Sequence, residues 1–163
     1  MRLTTFSDYT LRVLMYLALY PERFVTISEI AAALGVSANH LMKVAQHLAS
    51  RGDVLTLRGP RGGLRLGRPA EAISVGSVIR GTEPDMALVP CGACLIHPEC
   101  GLSGVLDQAL AAFMAVLDGS SVADLVARHK PLTGLLAARP SGGNHRSGTR
   151  PIKSDARNAP VRQ

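Results

Sequence analysis

Apolar and polar positions along the chain keep a helical period, switch briefly to a strand-like one, and return to a helical one. Leu11, Leu14, Met15 and Ala18 recur at helical spacing and predict a first helix with these as its buried face. Ser7 or Thr5 can cap it, Asp8 stands in its first turn, where a carboxylate suits the helix dipole, and Pro21 ends it. Thr26 and Glu29 have capping-box spacing ahead of a second helix that stops at Gly35. Ser37 then caps a third helix over residues 38–48, with Leu41, Val44, Ala45 and Leu48 facing inward. Residues 52–57 read as a strand, residues 58–63 as a glycine-rich turn, and residues 64–66 as the returning strand. After a connector, Ser74 caps a short helix over residues 75–81, and residues 82–90 read as loop. A long apolar helix covers residues 102–117, with a stripe of Leu102, Leu106, Ala109, Leu110, Phe113 and Leu117. Residues 121–126 suggest a last short helix.

Helix, glycine turn, polar-fronted helix and arginine-bearing hairpin form the order of a winged helix-turn-helix, whose second helix enters the major groove. The expected fold is therefore mainly α: a winged helix-turn-helix with a two-stranded wing, plus a long dimerisation helix. Ser37, Asn39, His40 and Lys43 lie at or near the start of the groove-entering helix, within reach of base edges and phosphates. Arg58, Arg61 and Arg65 sit on the wing, where glycines let the backbone approach DNA closely. The plainer alternative is a solvated basic hairpin. A single long amphipathic helix outside a compact wing domain needs a partner, and a second copy of the chain supplies one. The expected division is residues 1–81 for DNA binding, 82–101 for a cofactor-binding loop, and 102–130 for dimerisation. Residues 131–163 read as a disordered basic tail.

Charge changes this picture only locally. The 163 residues carry a formal net charge of +6, which favours an acidic partner. Residues 1–138 hold twelve basic against eleven acidic side chains, so most of the excess lies in the tail. The better clue is residues 51–68, with five arginines against Asp53. Aromatic residues make up only 4% of the chain, which favours helices over a strand-rich fold. The amino terminus does not read as a secretory signal, and no apolar run is read as long enough to span a bilayer, so a reducing cytoplasmic setting is expected.

All three cysteines fall in one segment, Cys91-Gly-Ala-Cys94-Leu-Ile-His97-Pro98-Glu-Cys100. An odd number argues against a closed disulfide framework. On spacing alone three chemistries stay open. Cys91, Cys94, His97 and Cys100 can form a Cys3His zinc site. The three thiolates can hold an iron–sulfur cluster and leave one iron for a non-cysteine ligand. Cys91 and Cys94 can also be a redox pair, although no thioredoxin-like strand–helix–strand alternation accompanies them. No catalytic constellation is present, so an enzyme is not expected.

Three pieces of the sequence carry a resemblance: Arg2-Leu-Thr-x-Phe6-Ser-Asp8-Tyr9-x-Leu11-Arg12, the wing Arg58-Gly59-x2-Gly62-Gly63-x-Arg65-Leu66, and the cysteine segment with its following helix. Together they resemble the winged-helix iron–sulfur repressors that include NsrR, IscR and RirA, over residues 1–130. Within that family the nitric-oxide-sensing NsrR type is most similar, through Cys94-Leu-Ile-His-Pro98-Glu-Cys100, Leu102, Phe113 and residues 117–126. The resemblance implies a homodimer on a palindromic operator, with Cys91, Cys94 and Cys100 holding a [4Fe–4S] cluster. It implies Asp8 of the partner subunit as the fourth ligand and nitrosylation as the event that releases DNA. The two residues between Cys91 and Cys94 are fewer than the type usually has, which keeps a [2Fe–2S] cluster or zinc, and His97 as a ligand, in play. The alternative functions are the same fold sensing iron or cluster supply, or a zinc-stabilised winged-helix regulator.

Overall fold

The computed structural model describes residues 2–59, 62–89 and 100–127. Its elements run α1 (Thr5–Ala18), α2 (Ile27–Leu34), α3 (Ala38–Ser50), β1 (Val54–Leu57), β2 (Gly63–Leu66), α4 (Val75–Thr82), α5 (Gly101–Asp118) and α6 (Val122–Ala127). A single 3-10 turn, Ala70–Ala72, precedes α4. The tail expected to be disordered lies outside the described residues.

Helix α1 is the hub, packing against α2, α3, α4, α6 and β2. It is capped by Thr4, whose side chain accepts from the Ser7 N–H, rather than by Ser7 or Thr5. Its fully buried positions are Ser7, Thr10, Val13, Leu14, Tyr16 and Leu17, while Leu11, Met15 and Ala18 are only half-buried. The expected stripe was displaced because α1 is covered from several sides, so burial is wider than one apolar face. Polar Ser7 and Thr10 go inside because their hydroxyls are satisfied, Thr10 by the Phe6 carbonyl at 2.7 Å.

Helices α2 and α3 follow the sequence closely. The Thr26 hydroxyl accepts from the Glu29 N–H, and Gly35 closes α2 at φ 68°, the left-handed region glycine tolerates. Leu41, Val44, Ala45 and Leu48 of α3 are all buried. Strands β1 and β2 pair antiparallel, from Val54 opposite Leu66 to Leu57 opposite Gly63. Val25 adds an isolated bridge, exchanging bonds of 2.8 and 2.7 Å with Leu64. Gly63 must be glycine there, since a Cβ would lie 2.6 Å from the Val25 carbonyl oxygen.

The carboxyl-terminal helices leave the domain and come back. Helix α5 packs on α4 through its second half, where Met114 is its one buried residue. Arg80 grips Asp118 through both carboxylate oxygens, at 2.6 and 2.5 Å. Val75 N–H then bonds to the Ser120 carbonyl, Val122 N–H bonds to that of Ile73, and α6 returns to α1. The half-buried side of α5 is Leu106, Leu110, Phe113 and Leu117, whereas Leu102 and Ala109 of the expected stripe face out. By length and composition α5 is apolar enough to cross a bilayer, contrary to expectation, because it is apolar on two faces.

Candidate nucleic-acid interface and the cluster ligands

Between α3 and the wing lies an open concavity of about 990 Å³. Its walls include Asn39, His40, Met42, Lys43 and Gln46 of α3, and Thr56, Leu57 and Gly59 of the wing. Burial of Leu41, Val44 and Leu48 turns these α3 side chains outward, since the two sets alternate around one helix. Ser37 occupies the cap position of α3 but makes no side-chain cap bond, so its exposed hydroxyl is unspent. At the wing tip, Gly59 sits at φ 106°, and a bond from Gly62 N–H to the Gly59 carbonyl at 2.9 Å closes the turn. Arg58 is exposed beside it, and Arg61 lies outside the described residues.

The arginines sort into two groups. Arg51 and Arg68 converge on the fully buried Asp53, at 3.0 Å and 2.8 Å from their Nε atoms. Arg51 also donates to the Ser77 carbonyl and hydroxyl, tying α3 to α4. Arg23 grips Glu29 and lies over the Tyr20 ring, and the grip of Arg23 holds the Glu29 carboxyl below its ordinary value. Two of the five arginines in residues 51–68 are therefore structural. Among the described residues Lys43 and Arg58 form no ion pair. Arg65 stacks on Phe24 at 5.0 Å and borders a smaller groove behind the wing, so the structure does not bring it to the concavity.

Sequence reasoning named Asn39, His40 and Lys43 and missed Met42 and Gln46. The signal was available, because the spacing that found Leu41, Val44 and Leu48 also defines the opposite face. It missed Glu83 as well. The Glu83 carboxylate accepts from the Thr4 N–H at 2.8 Å, from the Thr4 hydroxyl at 3.1 Å and from Ser7 Oγ, fastening the end of α4 to the start of α1. Burial alone would raise the Glu83 carboxyl, but the bonds from Ser7 and Thr4 outweigh it and hold it low. Contacts spanning more than seventy residues leave no local pattern to read.

Asp8 lies on the first turn of α1, 42% exposed, with Oδ1 accepting from Arg12 Nε at 2.8 Å. On either side of it in sequence, Phe6 meets the His47 ring edge-on at 5.4 Å and Tyr9 meets the His40 ring at 6.2 Å. The amino end of α1 therefore touches the groove-facing helix at both its start and its end. Cys100 stands at the cap of α5, half-buried, with a free thiol that makes no capping bond. An unspent thiol in such a place fits a metal donor. Cys91, Cys94 and His97 lie outside the described residues. Among the described residues no three His, Cys, Asp or Glu side chains are gathered for a metal.

Fold and concavity together define a winged helix-turn-helix DNA-binding protein. The profile of the Rrf2 family, described as an iron-dependent transcriptional regulator, matches residues 3–128, and the chain belongs to that family. Members are DNA-binding transcriptional regulators, not enzymes, and are typically dimeric. Among solved structures it is similar to CymR, the global cysteine regulator of B. subtilis, at 26% identity and TM-score 0.69, over 78% of this chain and 98% of that one. A transcriptional regulator from Listeria innocua matches at 27% and 0.70, over 80% and 88%. IscR of T. potens shares the fold at 24% and 0.67, over 80% and 89%.

Proposed function

We propose that this protein is a homodimeric, cytoplasmic iron–sulfur repressor that reports nitric oxide by releasing a palindromic operator. Ser37, Asn39, His40 and Lys43 enter the major groove, while Arg58 and Arg61 hold phosphates or the minor groove from the wing. Arg65 serves from the flank of the wing. Cys91, Cys94 and Cys100 hold a [4Fe–4S] cluster in one protomer, completed by Asp8 of the partner subunit. When bound, that cluster supplies iron open to nitric oxide, with a carboxylate as its most displaceable ligand.

The observation that carries this reading is the contact between α1 and α3 on both sides of Asp8. An Asp8 engaged across the dimer fixes the first turn of α1. An Asp8 returned to Arg12 leaves that turn to its own protomer. Through Tyr9 on His40 and Phe6 on His47, either state biases the angle of α3. Two such helices must sit about one DNA turn apart, roughly 34 Å, to read a palindrome. A coupling of about 1–3 kcal/mol changes operator affinity roughly five- to 150-fold.

The exposed apolar side of α5 supports the dimer. Leu102, Val105 and Val116 are 58%, 62% and 71% exposed and follow a three- and four-residue rhythm with Ala109 and Ala112. A second reading keeps the fold and makes iron or cluster supply the signal, favoured by the family's description as iron-dependent.

The test is Asp8→Ala. Among the described residues its side chain pairs with Arg12 alone, at the surface, so the variant should fold. Iron content after purification without oxygen should fall, and operator affinity should drop within the range above. Unchanged iron, nitric oxide response and affinity would remove Asp8 from the mechanism.

A further inference from the structure

The outward row of α3 carries chemistry that selects among base pairs. Asn39, Met42, Lys43 and Gln46 succeed one another at helical steps, all exposed and all on the wall of the concavity. From Asn39 to Gln46 the helix rises roughly 10 Å, the length of about three base-pair steps. Both ends of the row are carboxamides, and neither side chain bonds to another described residue. Between them Met42 leaves 50% of its surface in water. A lone exposed methionine is ordinary on a protein surface. Here it stands between two unspent amides inside the groove-facing row, and that placement points to a ligand with matching features.

The major groove supplies them. An adenine offers N7 as acceptor and N6–H as donor, the pair a carboxamide satisfies at once, and a thymine offers a methyl group. Among the described residues that line the concavity there is no carboxylate to accept from a cytosine N4–H and no arginine to fork onto guanine. Lys43 is the one cation of the row and is free for a phosphate. We propose that Asn39 and Gln46 each read an adenine and that Met42 packs on a thymine methyl, making the core of each half-site a run of A·T pairs. This rests on the DNA-binding reading above and adds the chemistry of the sequence it prefers.

The experiment starts from the full chain purified without oxygen and a random-sequence duplex library. Selected duplexes are then remade with deoxyuridine for single thymines, which removes only the methyl, or 7-deazaadenine for single adenines, which removes N7. One deoxyuridine position should weaken the wild type roughly fourfold, the worth of one buried methyl, and leave Met42→Ala indifferent. One or two 7-deazaadenine positions should weaken it roughly five- to 150-fold, with Gln46→Ala or Asn39→Ala indifferent at the matching position. All three variants change exposed side chains, so folding is not at issue. Selected half-sites centred on G·C pairs, or equal penalties in wild type and variants, would overturn the assignment while leaving DNA binding intact. A library with no enriched duplex would overturn the DNA-binding reading itself, and this inference with it.

Discussion

Helices α3 and α5 are built alike and end differently. Each has an apolar side toward the rest of the chain. The outward side of α3 is Asn39, His40, Met42, Lys43 and Gln46, whereas that of α5 is Leu102, Val105 and Val116. Water tolerates the first face, and nucleic acid rewards it. The second face loses roughly 25 cal/mol for each Å² left in water, and a protein surface of like kind removes that cost. One chain thus carries two sockets of opposite chemistry, joined through α4 and α1. The difference predicts that damage to either face leaves the other's chemistry in place.

The largest expected effect breaks α5 alone. Val105→Glu with Val116→Glu puts carboxylates against each other and against apolar side chains. The dimer dissociation constant should rise by at least about 100-fold. Sedimentation at dilution should find folded monomers, because neither valine is buried within the protomer. An unshifted dimer would move the self-association surface elsewhere. The smaller effect probes what holds α3 in place. Glu83 is held below the ordinary carboxylate value of 4.5, so its stabilisation of the α1 start is complete above that pH. It is lost as pH falls through the lower folded value. Protection of the amides of residues 4–8, taken relative to their intrinsic exchange rate at each pH, should therefore fall below about pH 4.5, and Glu83→Gln should flatten that dependence. Identical profiles in both proteins would free α1 from the Glu83 contact.

Much of this architecture can be read from local pattern. Thr26 with Glu29, Gly35, and the buried quartet of α3 follow from capping chemistry and helical period within a dozen residues. The wing follows from glycines that permit its turn. What escaped the pattern depends on distant packing. Charge counting included Arg51 and Arg68 in the basic cluster, but Asp53 draws both inward. The stripe assigned to α5 merged two faces, because apolar residues on both sides blur a single period. On the candidate site, half of the α3 row was named and half missed, for want of following the outward face past its first turn. Asp8 entered through family resemblance, since locally it is an ordinary first-turn carboxylate paired with Arg12.

The most direct test of the central claim is made on full-length protein purified without oxygen. Iron, sulfide and zinc per subunit are measured, and binding to a selected duplex is followed as nitric oxide is added. The account predicts about four irons and four sulfides per subunit, little zinc, and loss of operator affinity in step with bleaching of the visible spectrum. One zinc and no iron, with binding indifferent to nitric oxide, would contradict it.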